Sequence, residues 1–161
     1  MRSLPVLALV VLLVACNGSA PPVEGATIGD TLDAAGTQRV TLVQAEVNVG
    51  GAESRPPPDG SVYASFLFRI ESLAPGARYD RFRFSAAGAD GERYPYTAGG
   101  PQPALESRRI LPAGDSAEGW VSFEVPDDFQ SLAISYDPPF EPAAESITFV
   151  VRAPEAARSG G

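Results

Sequence analysis

The apolar residues of this chain recur at every second position in short runs separated by glycine and proline. From Ser61 to Ser72 (SVYASFLFRIES), Val62, Ala64, Phe66, Phe68 and Ile70 alternate with Tyr63, Ser65, Leu67, Arg69 and Glu71. Successive side chains of a strand point to opposite faces, so this spacing predicts a strand with one buried face. Each large side chain fully buried there is worth roughly 1.5–3 kcal/mol. Asp115 to Pro126 repeats the pattern, with Val121, Phe123 and Val125 on one face and Trp120, Ser122 and Glu124 on the other. In Gln130–Tyr136 the inward set is Leu132, Ile134 and Tyr136; in Glu145–Arg152 it is Ile147, Phe149 and Val151. Arg39–Val49 sets Val43, Ala45, Val47 and Val49 against Gln44, Glu46 and Asn48. Tyr79–Ala86 places Phe82 and Phe84 inward and Arg81 and Arg83 outward. Weaker strands are expected at Ala26–Leu32, Arg93–Thr97 and Ala104–Leu111, and Pro95, which has no N–H to give a ladder, suggests an edge.

Between these runs lie turn formers. Leu73-Ala74-Pro75-Gly76, Ala89-Asp90-Gly91, Pro112-Ala113-Gly114 and Asp137-Pro138-Pro139 each end a strand, and Asp-Gly tolerates the positive φ of a tight hairpin. Gly50–Gly60 contains three consecutive prolines and reads as a stiff loop. No segment keeps a helical period. Strands every ten to fifteen residues or so with such turns predict an all-β, antiparallel sandwich of seven to nine strands over residues 26–152. Residues 153–161 are small and polar and read as a disordered tail.

The N-terminus has a different pattern. Met1-Arg2 is positive, and Leu4–Val14 is an uncharged apolar run, too short for the roughly 20 residues of a spanning helix. It fits a secretory signal. Leu13-Val14-Ala15-Cys16 resembles the lipobox of bacterial lipoproteins and holds the chain's one cysteine. By that resemblance residues 1–15 are a signal peptide and Cys16 carries a diacylglyceryl thioether as the new first residue. Two or more acyl chains hold a protein stably on a membrane. Asn17–Gly25 (NGSAPPVEG) is then a flexible tether.

Composition narrows the chemistry. The formal net charge is −8, and one unit more negative once Arg2 is removed. That argues against nucleic acid or anionic headgroups as partners, because both reward clustered cations. Histidine and lysine are absent. With Cys16 acylated, no thiol remains for a disulfide, a zinc site or a nucleophile, and His- or Lys-based acyl transfer lacks its base. No glycine-rich phosphate loop is present. Acids are plentiful, but nothing singles out a catalytic pair, and Asp127-Asp128 lacks the EF-hand pattern. Neither enzymatic activity, nor a metal, nor a cofactor is expected.

A wider resemblance appears in the order of short motifs: Ile28-Gly29-Asp30-Thr31, Val40-Thr41-Leu42, Asp90-Gly91-Glu92-Arg93-Tyr94, Leu111-Pro112-Ala113-Gly114, Gly119–Pro126 (GWVSFEVP) and Leu132–Tyr136. Over about Ala26–Pro138 the chain resembles uncharacterised secreted bacterial lipoprotein domains with a telokin-like immunoglobulin fold, related to mycobacterial immunoprotective extracellular antigens. The turn leading into GWVSFEVP is the most specific part. The resemblance implies an immunoglobulin-like sandwich on a lipid anchor and brings no catalytic residues.

Two functions follow as expectations. The first is a membrane-anchored module on the extracytoplasmic side that binds another envelope protein or a peptide. The second is a carbohydrate or small-ligand module using aromatic side chains, with Trp120, Tyr63, Tyr94 and Tyr96 as the candidate surface. Arg108-Arg109 could meet an acidic partner, although a solvated strand end is the simpler reading.

Overall fold

The computed structural model describes residues 25–48, 55–139 and 145–153. The expected leader with Cys16, the expected tether up to residue 24 and the expected tail from residue 154 lie outside the described residues, as does the loop portion at 49–54.

Ten strands are present among the described residues. They are β1 (Thr31–Ala34), β2 (Gln38–Asn48), β3 (Ser61–Ser72), β4 (Ala77–Tyr79), β5 (Phe84–Gly88), β6 (Arg93–Thr97), β7 (Arg109–Leu111), β8 (Ser116–Pro126), β9 (Ser131–Tyr136) and β10 (Ile147–Arg152). Seven of them have five residues or more, in line with the expected all-β sandwich. Hydrogen bonding runs in the order β1-β2-β3-β8-β6-β5-β9-β10, and β4 pairs separately with β7. All strand pairs are antiparallel. One layer is β1-β2-β3-β8 and the other is β5-β9-β10. β6 belongs to both: Arg93–Pro95 pair with β5, and Tyr96–Thr97 pair with β8.

The core forms where the two inward faces meet. Phe66, Phe68 and Ile70 from β3, Val121, Phe123 and Val125 from β8, Leu132, Ile134 and Tyr136 from β9 and Phe149 from β10 are all buried, as their alternation predicts. Ring packing ties the layers together. Phe68 lies 4.6 Å from Phe84 and 5.5 Å from Phe149, and Phe84 stacks on Tyr136 at 4.5 Å. Offset and edge-on ring pairs of this kind add about 0.5–1.5 kcal/mol beyond the area they bury. The Tyr136 hydroxyl donates to Gln38 Oε1 at 2.9 Å, and Gln38 Nε2 donates to the Arg78 carbonyl. Gln38 is 2 % exposed, so its amide is placed in the core with both ends satisfied.

Several local expectations are corrected. The first strand begins at Thr31, with Ala26 forming only an isolated parallel bridge to Phe149. In β2 a bulge shifts the register between Leu42 and Gln44. Leu42, opposite Phe68, is therefore buried, and Val43 is the extra residue rather than the start of the inward set. The run Tyr79–Ala86 is broken by a 3-10 turn at Arg81–Arg83, capped by Asp80, whose carboxylate accepts the Phe82 N–H at 3.1 Å. Phe82 points out and is 56 % exposed, and Arg81 lies against it. Only residues 109–111 of the expected strand Ala104–Leu111 form one. Pro95 is not on an edge. It sits where β6 changes partner from β5 to β8, so its missing N–H interrupts neither ladder for long.

The outer face of β3 and β8 is also partly covered. Tyr63 and Ser65 are buried, and Ser65 Oγ lies 2.9 Å from Ser122 Oγ. The segment over them is Gly99-Gly100. A Cβ on Gly99 would overlap the Tyr63 ring, and one on Gly100 would overlap the Ser122 hydroxyl. Only glycine lets this backbone approach so closely.

Candidate functional site

The four aromatic candidates are distributed rather than assembled. Tyr63 is 4 % exposed, and its hydroxyl donates to the Arg55 carbonyl at 2.9 Å, tying the proline loop to β3. Tyr94 is buried against the core, and its hydroxyl donates to Glu92 at 3.3 Å. Burial first, and then the Glu92 carboxylate, raises the Tyr94 phenol above its ordinary pKa. Tyr96 is half-buried and meets the Phe82 ring edge-on at 5.3 Å, with the Arg81 guanidinium 5.2 Å from both rings. That guanidinium also donates to the Leu105 carbonyl at 3.2 Å, while its Nε is buried without a hydrogen bond. Trp120 is half-buried on β8 opposite Leu67, four positions along β3 from Tyr63. No single exposed face carries all four rings.

A more open feature lies at the side of the sandwich. β1 pairs only with residues 38–41 of β2, and Leu42 bonds to the segment before β1: the Gly29 N–H donates to its carbonyl at 2.7 Å. Beyond the bulge, from Gln44 to Val47, β2 pairs with β3 on one side and, among the described residues, with no strand on the other. Here the chain from Ala26 to Asp30 crosses from β10 in one layer to β2 in the other. Beneath that crossing is a mainly apolar cleft of about 140 Å³, lined by Ala45, Val47, Phe66 and Val151 among others, with the charged Glu46 and Arg152 also in its wall. Ile28, at its lip, is 49 % exposed. An unpaired strand stretch offers backbone N–H and C=O groups to another extended chain, and an adjoining pocket can take that chain's side chains. This edge escapes sequence analysis because it depends on where β1 stops. The sequence placed the first strand at Ala26–Leu32 and so carried no signal of this edge.

The architecture is that of a two-layer antiparallel β-sandwich, and comparison with solved structures gives the same fold. The candidate lipoprotein YcdA from Bacillus subtilis superposes with a TM-score of 0.63 at 15% identity. The match covers 74% of this chain but only 38% of YcdA, so this chain spans well under half of that protein. MPT63, a secreted protein from Mycobacterium tuberculosis, superposes with a TM-score of 0.53 at 15% identity, covering 81% of this chain and 99% of MPT63. A β-sandwich protein from Clostridium difficile 630 gives 0.52 at 12% identity over 80% of this chain and 95% of its own. At these identities the likeness is one of fold. No protein-family model and no curated protein matches the sequence.

Proposed function

We propose that the protein is a membrane-anchored extracytoplasmic lipoprotein of the telokin-like, immunoglobulin-fold type, whose sandwich binds another envelope protein. The partner adds an extended segment along Gln44–Val47 of β2 and places an apolar side chain in the adjoining cleft. The observation that carries this reading is the stretch of β2 with no second strand partner among the described residues, beside a cleft lined in part by Phe66. Two further features support it. The lipobox-like Leu13–Cys16 suits a protein held on a membrane through Cys16, and a fold-mate is a candidate lipoprotein while another is a secreted protein. Strand addition obtains its affinity from main-chain hydrogen bonds, so it needs none of the histidine, lysine or metal chemistry that this sequence lacks.

The test is a photo-crosslinking residue at Gln44 in intact cells, with the same residue at exposed Glu92 as control. A discrete adduct at 44, absent at 92 and abolished by Val47→Arg, is the expected result. Equal adducts at both positions, or none at 44, count against the site. Anchoring is tested separately, since Cys16→Ala should move the protein from the membrane fraction to the soluble one.

A further inference from the structure

We infer that the cleft between the proline loop, the outer face of β3 and β8, and the segment after β6 binds a neutral saccharide. This goes beyond the binding of an envelope protein and does not rest on it, so crosslinking at Gln44 can fail without affecting it. The cleft has a volume of about 580 Å³, within the roughly 300–1,000 Å³ typical of small-ligand sites. Arg55, Pro56 and Pro58 line it from the loop, Glu124 from β8, and Thr97 and Gln102 from the end of β6 and the segment beyond. Of the four aromatic candidates, Tyr63 alone borders it.

The walls are fixed by the fold. The Tyr63 hydroxyl donates to the Arg55 carbonyl at 2.9 Å. The Ser61 N–H donates to the Pro58 carbonyl at 3.0 Å, and the Asp127 N–H donates to the Gly60 carbonyl at 3.0 Å. The loop from 55 to 60 is thus tied at three points, and prolines at 56, 57 and 58 remove much of the backbone freedom that is left. On the opposite wall, Thr97 pairs with Ser122 in the β6–β8 ladder, and the Gly99 backbone lies so close to Tyr63 that a Cβ would overlap its ring. Gln102 Oε1 accepts the Ala104 N–H at 3.2 Å, which leaves the amide NH₂ as the donor end. Glu124 stands on β8 opposite Tyr63. Groups held in place before a ligand arrives lose little conformational freedom when it binds.

The chemistry of the ligand follows from the groups that line the cleft. The Arg55 guanidinium only donates, the Glu124 carboxylate only accepts, the Gln102 NH₂ donates and the Thr97 hydroxyl does either. Among the described residues neither Arg55 nor Glu124 has an ion-pair partner, and they do not pair with each other. The described lining therefore carries one charge of each sign. An anionic ligand would meet Glu124 and a cationic one Arg55. A sugar hydroxyl donates and accepts through one oxygen, so adjacent hydroxyls can satisfy both ends with no net charge on the ligand, and hydrogen bonds with one charged partner are the stronger kind. The rings of Pro56 and Pro58 add apolar surface, against which the C–H face of a pyranose can be removed from water. A zwitterion of amino-acid size would answer the two charges but leave the Gln102 amide, the Thr97 hydroxyl and most of the volume unused.

The probes are maltotriose, cellotriose and triacetylchitotriose, each titrated into the full-length protein by isothermal calorimetry in a detergent that contains no sugar. Saturable heat is expected with at least one of them. Its affinity should stay within about twofold as NaCl rises from about 0.05 M to about 0.5 M, because the ligand has no charge to screen. Arg55→Ala and Glu124→Ala, both at exposed side chains, should each weaken that sugar by about tenfold or more while the melting temperature holds. Arg93→Ala, at an exposed position of β6 outside the cleft, should leave it unchanged. If an alanine variant fails to fold, Glu124→Gln, which keeps the side chain's shape and removes its charge, gives the same comparison. Absence of saturable heat with all three sugars overturns the inference. So does binding indifferent to the Arg55 and Glu124 changes, or tighter binding of glucuronate or glycine betaine than of any of the three.

Discussion

At the scale of single residues, two positions show how this core is specified. Tyr136 is buried with its hydroxyl on Gln38, and burial raises its phenol pKa well above the usual value near 10. The neutral form is therefore the one the folded state prefers. A group whose folded pKa is raised contributes stability that is fully present below its unfolded pKa and lost as pH rises beyond it. The melting temperature should accordingly stay level from about pH 7 to 9 and fall above about pH 10. Tyr136→Phe leaves the buried Gln38 Oε1 without its donor, at a cost of about 1–3 kcal/mol near neutrality, and should flatten the alkaline decline. A decline as steep as in the unchanged protein would assign it to other groups, with Tyr79 and Tyr94, both also raised by burial, the first to check. Gly119 is the second position. A Cβ there would meet the Leu105 backbone, and that backbone is fixed because the Leu105 N–H donates to the Trp120 carbonyl at 2.8 Å while the Trp120 N–H donates to the Pro103 carbonyl at 3.0 Å. Main chain cannot rotate aside as a side chain can, so Gly119→Ala should destabilise by about 1–3 kcal/mol in denaturant titration.

At the scale of elements, β3 is the strand on which the others depend, with β2 and β8 paired along nearly its whole length. Phe66 lies opposite Ala45 on one side and Val121 on the other and packs 6.0 Å from Phe123. Phe66→Ala should cost about 3–5 kcal/mol, and Phe66→Asp, which buries a charge without a partner, should abolish the cooperative melt. A soluble Phe66→Asp variant that melts cooperatively would contradict the register. This strand was legible from its alternation alone, as were β8, β9 and the inward Phe149 of β10, because a period of two with one buried face is a local property. What was not legible arises between elements. The bulge at Val43 reverses which side chains of β2 face inward, and nothing in its sequence marks it. Phe82 was expected inside because it is two residues from Phe84; the 3-10 turn capped by Asp80 rotates it out. Alternation puts Tyr63 on the outer side of β3, which reads as surface, but Gly99-Gly100, more than thirty residues later, covers it. Arg81, Arg83 and Arg108-Arg109 stand out in the sequence, yet only the pairing of Tyr79 with Arg109 brings the two groups together.

At the scale of the whole molecule, the question is whether the two layers unfold as one. The sequence contains a single cysteine, so no disulfide can join them within the chain. Their link is β6, five residues long, which hydrogen-bonds to β5 through one half and to β8 through the other, together with the rings of Phe68, Phe84, Phe149 and Tyr136 that cross between the faces. Neither layer can expose its inner face without stripping apolar cover from the other, and such mutual dependence makes a small domain cooperative. Trp120 lies on β8 in one layer and reports locally, while far-ultraviolet circular dichroism reports on both. Equilibrium unfolding followed by the two signals should give coincident transitions, unchanged by a reducing agent. Trp120 fluorescence changing ahead of the dichroism would mean that the β1-β2-β3-β8 layer opens separately. In that event β6 would be a hinge between two units rather than the seam of one.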